Sequence, residues 1–331
     1  MMKRQFLRKG AAAFGVLGAI SLLFAAPTQE AAAQSNPYPA RDITLVVPYA
    51  PGATADLIGR KYVALLGSEL GVTVVVENTP GGSGTMGAVK VFGAKPDGYT
   101  LGYGHNSPLA IQPHTNPGLP YKSVDDFSTI GGFGHQPATV SVNSASEWKT
   151  FDDFVKAAKA APGDISIAVG SAGNVKDLQL RQFQKAADVE FNIVPFAGGG
   201  AEAVMAVLGK VVDGVSVNSS TVAGQIAAGE LLPLAMFAET DGEEVSGFRL
   251  IKTSAYPGLT YLADSWGIIA PKGLPEDVLK ILDDTHQKIM KDKDFLAALE
   301  ADSFIVVPTN SEEYKAQLKG DFDSFGAILA K

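Results

Sequence analysis

The chain of 331 residues has no cysteine, which excludes disulfides, thiolate chemistry, cysteine-ligated zinc, iron–sulfur clusters and a lipid-modified N-terminal cysteine. Histidine is nearly as scarce. The four copies, His105, His114, His135 and His286, never stand at metal-ligand spacing, and no H-E-x-x-H occurs, so no metal site is expected. The phosphate-binding G-x-x-x-x-G-K-[ST] loop and the G-x-S-x-G nucleophile elbow are also absent. One G-x-G-x-x-G is present, Gly82 to Gly87, but the next strand ends in Gly104-His105-Asn106 with no acid to hold a ribose. A dinucleotide site, and with it any cofactor, is therefore not expected.

Long apolar runs are lacking except at the start. Lys3, Arg4, Arg8 and Lys9 precede the uncharged run Ala11 to Ala26, and Ala31-Ala32-Ala33 supplies small residues for cleavage. Residues 1–33 read as an export signal, which places the product in the periplasm. The run is too short, with the wrong flanks, for a stable membrane anchor. Lys3-Arg4-Gln5-Phe6-Leu7-Arg8-Lys9 resembles a twin-arginine motif with lysine in the first position, so the export route stays open. Removing the segment takes four of 27 basic residues and one of 35 acids, leaving a net charge of −11. Such an acidic body argues against nucleic acid and anionic membranes.

What is present is a repeated strand–turn–helix device. Ile43 to Val47 reads as a buried strand, broken by Pro48, Pro51 and Gly52, and a helix follows from Thr54. Thr54 can cap its first turn, and Asp56 complements the positive helix end. Val72 to Glu77 leads into the Gly-rich turn that contains Ser83, and Tyr99 to Tyr103 ends in His105-Asn106-Ser107. Ile165 to Val169 opens onto Gly170-Ser171-Ala172-Gly173-Asn174, and Phe191 to Pro195 onto Gly198-Gly199-Gly200. Val215 to Val217 ends in Asn218-Ser219-Ser220-Thr221. In an open α/β sheet such strand ends line one crevice, where ligands bind. This crevice carries donors but almost no acid–base equipment, which points to binding rather than chemistry.

The 298 residues after the signal exceed what one core usually organises. We expect an α/β chain of two doubly wound lobes, 34–137 plus 236–331 and 138–235, joined by two chain crossings with a ligand cleft at the hinge. Within the cleft, His105 is either a hinge histidine or a ligand donor. Ser171 is an N-cap or ligand hydroxyl without a histidine partner. Lys176 sits just inside a helix, where the dipole disfavours a cation, so it either reaches solvent or faces an anion. Asp56 and Asp264 read as structural carboxylates rather than general bases.

Across the mature chain these residues resemble a known family. Tyr38-Pro39, Val47-Pro-Tyr-Ala-Pro-Gly52 with Asp56, and Val76-Glu-Asn-Thr-Pro-Gly-Gly-Ser-Gly84 carry the likeness. So do Lys95-Pro-Asp-Gly-Tyr-Thr100, Pro120-Tyr121 with Asp126-Phe127, Val194-Pro-Phe-Ala-Gly198, Ala228-Gly229-Glu-Leu231 and Ala270-Pro-Lys-Gly273. In order and spacing the set is similar to the periplasmic solute-binding proteins of tripartite tricarboxylate transporters, the Bug family. The resemblance implies a type II periplasmic-binding fold and a small carboxylate ligand. A membrane permease would be the partner and the binding protein a monomer; a carboxylate sensor, or an enzyme on the same scaffold, is the alternative. It also implies that Tyr49, Ala50, Ala53 and Thr54 meet the carboxylate, with Asp56 as their orienter. Ser83, His105, Asn106 and Ser107 would join from the first lobe, and Ser171, Asn174, Lys176, Gly198 and Asn218 from the second.

The chain departs from the family pattern at Ala53 in place of glycine and Ala197 in place of lysine. Lys176 and Gln179 stand where a hydroxyl residue and a histidine are common, and Val217 precedes Asn218 where an acid is usual. Lys176 is accordingly expected to pair with a second ligand carboxylate, favouring a di- or tricarboxylate.

Overall fold

The computed structural model describes residues 38–196, 199–239 and 247–330. The expected signal, Gly198 and most of the acidic loop at 240–247 lie outside the described residues.

The five-residue run Ile43–Val47 is strand β1. Four of its side chains are fully buried, as a strand covered on both faces requires. Then come α1 (Thr54–Leu70), β2 (Val74–Asn78), α2 (Thr85–Phe92), β3 (Thr100–His105) and the short α3 (Gln112–Thr115). Strand β4 (Phe127–Pro137) leads through Ala138 directly into β5 (Thr139–Asn143). The second half adds α4 (Phe151–Ala160), β6 (Ser166–Val169), α5 (Val175–Ala187), β7 (Asn192–Pro195), α6 (Gly200–Leu208), β8 (Gly214–Ser216) and α7 (Ser219–Ala227). Next are β9 (Leu231–Ala238) and β10 (Arg249–Lys252). The chain ends with β11 (Ala263–Pro271), α8 (Glu276–Ile289), α9 (Lys293–Ala301), β12 (Ile305–Thr309) and α10 (Ser311–Leu329).

Among the described residues the strands form two six-stranded sheets, ordered β12-β4-β11-β3-β1-β2 and β10-β9-β5-β8-β6-β7. In the first, β1 runs parallel to both β2 and β3; in the second, β6 runs parallel to β7 and β8. Each sheet therefore has a central strand whose neighbours arrive by crossovers on opposite sides, the arrangement that opens a crevice beyond the carboxyl ends. Antiparallel β11 closes the first sheet against β3 and β4, and antiparallel β5 links β8 to β9 in the second.

The sheet topology moves one expected boundary. Position 236 falls inside β9, which pairs with β5 from Leu231 to Met236 and carries β10 on its other edge. The chain thus returns to the first sheet between Lys252 and Ala263. An apolar strand such as Leu232 to Phe237 fits either sheet by composition, and only its pairing assigns it.

Each sheet has its own core. Ile43, Leu45, Ile58, Tyr62 and Leu66 pack with Leu282, Phe295 and Leu299 on one face of the first sheet. Phe151, Phe154, Phe183, Phe191 and Phe237 form an aromatic core in the second. A smaller cluster joins the two lobes, with Ala110 and Ile111 from the first lobe against Val175 and Leu178 of α5, closed by Leu262 and Phe325.

Candidate functional site

The first loop, between β1 and α1, is held by one buried carboxylate. Asp56 accepts from the Gly52 N–H at 2.9 Å and from Asn78 Nδ2 at 2.9 Å, and Arg60 lies against it at 2.9 Å. Asn78 Nδ2 also donates to the Tyr49 carbonyl at 3.0 Å, so β2 and α1 together fix the loop. Burial pushes the Asp56 carboxyl up, but hydrogen bonds from Arg60, Gly52 and Asn78 outweigh it and hold the group below its ordinary range. Gly52 adopts a left-handed φ of 83°, which a side chain would strain. Helix α2 closes from above. A Cβ on Gly87 would lie 2.7 Å from Pro48 Cβ, so only glycine lets the helix approach this loop.

Ala53, not Thr54, is the N-cap of α1, and no side chain caps it. This corrects the expected capping role of Thr54, which is already the first helical residue. The consequence suits binding: the helix start offers backbone amides and a positive dipole end beside Tyr49 and Ala50.

From β3, His105 enters the same space. Its ring stacks on Trp266 of β11, with centroids 3.8 Å apart and planes 6° from parallel, because the two residues are register partners in adjacent antiparallel strands. Tyr49 OH makes a short hydrogen bond to His105 Nδ1, and His105 Nε2 lies 3.0 Å from Asp264 Oδ1. Burial raises the Tyr49 hydroxyl far above its ordinary value, so it remains the donor. Burial, and then the nearby Lys176 charge, holds His105 well below its ordinary value. The neutral ring therefore accepts at Nδ1 from Tyr49, while Nε2 faces Asp264 Oδ1 without hydrogen-bond geometry, so both of those atoms stay unpartnered. The ring's one lone pair is taken up by Tyr49, which leaves none for a general base.

The second lobe meets this chain at Lys176. From the second position of α5, its Nζ contacts Asp264 Oδ2 across the cleft, and the two side chains are 5% and 6% exposed. Burial pulls Lys176 well below the ordinary lysine value. The expected partner of Lys176 was a second ligand carboxylate; the structure gives it an internal one, 88 residues away in sequence. No local pattern announces a pairing at that range. Asp264 and Trp266 were outside the sequence-derived set. The only available signal was the polar Asp264-Ser265 pair that opens an otherwise apolar strand.

The remaining expected residues divide by what their side chains do. Ser83 Oγ reaches the Ala172 carbonyl at 3.4 Å and Gln112 Nε2 the Gly173 carbonyl at 3.4 Å, both from the first lobe to the second. Ser171 is half-buried in that same second-lobe turn. Ser107 Oγ is buried without a partner among the described residues. Asn174 is spent locally, capping α5 by accepting the Asp177 N–H at 2.9 Å. Asn106 points its amide to the Ala263 carbonyl and Asp321, each at 2.9 Å, which ties β3 to the return segment. Asn218 donates to Gln136 Oε1 at 2.9 Å, beside the first chain crossing, and keeps its own Oδ1 unpartnered. Gln179 accepts the Leu262 N–H at 2.8 Å and donates to the Thr260 carbonyl, fastening α5 to the return crossing.

Among the described residues no three His, Cys, Asp or Glu side chains are grouped to hold a metal, and no helix is long and apolar enough to cross a membrane.

Comparison with known proteins places this geometry. Residues 58–331 match the family model of the tripartite tricarboxylate transporter family receptor. Protein BugT of Bordetella pertussis is 26% identical over 316 residues, covering 95% of this chain and 96% of that protein. A solved structure described as a periplasmic transporter is 30% identical, with a TM-score of 0.80 over 89% of this chain and 98% of its own. Rpa4515 of R. palustris, solved with adipate, shares the fold at 23% identity, with a TM-score of 0.78 over 88% of this chain and 97% of its own. The two sheets have the architecture of the type II periplasmic-binding fold, and the chain belongs to the tripartite tricarboxylate transporter receptor family.

Proposed function

We propose that the chain is exported with loss of residues 1–33. It then captures a small carboxylate between its lobes as a monomer and delivers it to the membrane permease of a tripartite transporter. The ligand's carboxylate sits on the first loop, at the backbone amide of Thr54 beside Tyr49, Ala50 and Ala53, with Asp56 holding the loop in shape. Ser83, Ser107 and Ser171 supply hydroxyls around it, and His105, Asn106, Lys176 and Asn218 complete the surround.

The observation that carries this reading is the convergence of both lobes on one buried point. Tyr49, His105 and Asp264 come from three elements of the first lobe, and Lys176 from the second. A contact that exists only when the lobes are together is what couples ligand capture to closure. The bound adipate of Rpa4515 supports a carboxylate as the ligand class. Against an enzyme stands the His105 lone pair, which is already taken up by the Tyr49 hydroxyl.

A thermal-shift panel of small carboxylates, each with its amide, tests the proposal. At least one carboxylate raises the melting temperature while its amide does not. If no carboxylate shifts it, or the amides do as well, the proposal fails.

A further inference from the structure

A second cavity lies on the other face of β11 from the Lys176–Asp264 pair. Side chains alternate along a strand, so Asp264 and Trp266 share one face of β11 while Ala263 and Ser265 share the opposite one. Ser265 is the register partner of His135 on β4, and α10 faces both across the cavity. The space measures about 200 Å³ and is bounded also by Tyr261 and Leu262 of the return crossing and by Glu239 at the end of β9. We propose that this cavity is a second ligand site, taking a small primary amine with an apolar body and holding its ammonium on Asp321. The proposal goes beyond the receptor reading and does not depend on it.

The argument begins with a carboxylate that has no counter-charge. Asp321 of α10 accepts from Ser265 Oγ at 2.7 Å and from Asn106 Nδ2 at 2.9 Å, and both bonds end on Oδ2. Its Oδ1 is left for the cavity that Asp321 lines. Burial pushes this carboxyl up, and the Ser265 and Asn106 donors offset only part of the push. No lysine or arginine is among the described residues around the cavity. The two lysines of α10, Lys315 and Lys319, pair with Asp125 instead. Glu239 adds a second negative charge at the exposed rim. Burial also lowers His135, against the opposing pull of Glu239, so the imidazole brings no cation.

These surroundings sort the possible occupants. An anion would meet two carboxylates and no positive group. A neutral molecule would leave Asp321 uncompensated. A bare metal ion would need several acids or histidines grouped around it, and no such group of three exists among the described residues. An ammonium supplies the missing charge in a charge-assisted hydrogen bond to Oδ1. Tyr261, Leu262 and the buried Phe325 then cover an apolar body, and the aromatic rings suit a neighbouring cation. An apolar cavity of about 150 Å³ takes up benzene, so one ring carrying an aminomethyl group is of the right scale.

The test is calorimetric titration of the mature protein at neutral pH with benzylamine, which is then protonated, and with benzyl alcohol, which keeps the ring but lacks the charge. Benzylamine is expected to bind at least about tenfold tighter, the factor that one charge-assisted hydrogen bond commands. In Asp321→Asn that preference should fall to about threefold or less. Ser324→Lys is the second variant. Ser324 is exposed, lines the cavity one helical turn after Asp321, and takes no part in the Asn106 and Ser265 bonds. A lysine there offers the carboxylate an internal ammonium, and the preference should fall in the same way. Benzyl alcohol binding as tightly as benzylamine, no binding of benzylamine, or a preference unchanged in whichever variant folds overturns the inference. Carboxylate capture is read separately by the thermal-shift panel, so failure of one reading is not failure of the other.

Discussion

Replacing Lys176 by methionine keeps the aliphatic stem and removes the charge, leaving Asp264 buried with only a neutral histidine for company. In a rigid core, breaking a buried pair in this way costs about 3–5 kcal/mol. Here the protein has an alternative to unfolding: it can open its cleft and return Asp264 to water. The cost should therefore appear mainly in the closure equilibrium, as a shift of about 10²- to 10³-fold toward the open form. Asp264→Asn in the same chain removes the stranded charge and should recover most of the loss, since a neutral pair of similar volume needs no compensation. The Asn218–Gln136 and Gln179–Leu262 hydrogen bonds lie at the chain crossings, and away from these the other links between the lobes are modest. The Ser83 and Gln112 contacts are long at 3.4 Å each, and the joining apolar cluster is small.

The absence of cysteine makes the assay simple. Met86 on α2 and Met205 on α6 are exposed, at 56% and 65%, on opposite lobes. Cysteines at those two positions can carry a dye or spin pair without interference from native thiols. Lys176→Met should move the ligand-free distance distribution to longer values, and Lys176→Met with Asp264→Asn should move it back. If Lys176→Met leaves the distribution unchanged, or the two substitutions act additively, the pair does not control closure and the reasoning is wrong.

Further outcomes follow from other parts of the molecule. Asp56→Ala should weaken carboxylate binding by about 1–3 kcal/mol, the usual cost of orphaning groups that shared a buried acceptor, with a much smaller change in far-UV circular dichroism; calorimetric titration reads the loss. Because the Asp56 pKa is lowered on folding, its contribution is complete above the ordinary carboxylate range and disappears only as the pH falls through the lowered value. His286 is buried, accepting from Tyr62 OH at 3.1 Å and donating to the Gly132 carbonyl at 3.2 Å, and burial lowers its pKa to about 4. The unfolded chain binds that proton from about pH 6.5 downward while the folded one refuses it, so stability falls by about 3 kcal/mol between pH 6.5 and 4. Urea unfolding at several pH values should show this slope, and His286→Gln should flatten it. Gly87→Ala must displace Pro48 from 2.7 Å, at a cost of about 1–3 kcal/mol, and should lower both the urea midpoint and ligand affinity.

Much of the local structure was legible. Ile43 to Val47 is a strand over the expected residues because its apolar, β-branched run has no other use and two prolines and a glycine follow. Thr150 caps α4 by accepting the Asp153 N–H, as the Thr-Phe-Asp-Asp order implies. Strand–turn–helix units at Val169, Pro195 and Ser216 appear where glycine and hydroxyl residues interrupt apolar runs. Pairing was the part that sequence hid. Leu231–Ala238 is apolar enough for either sheet, and only its register with β5 places it in the second. Within the site, the first loop could be read because Asp56, Asn78 and Gly52 lie in two short motifs that fold onto each other. Lys176 could be singled out by its awkward place at a helix start, but not its partner. That partner arrives from a strand that enters the sheet antiparallel to its neighbours, after the chain has left and returned. The same long-range arrangement stacks Trp266 on His105, a contact no periodicity encodes.

The most direct test is a crystal structure of the mature protein with the tightest carboxylate from the thermal-shift panel. The account predicts the ligand's carboxylate within hydrogen-bond distance of the Thr54 amide, with Lys176 and Asp264 closing over its other end from opposite lobes. A ligand bound to one lobe alone, or held away from the first loop, would contradict it.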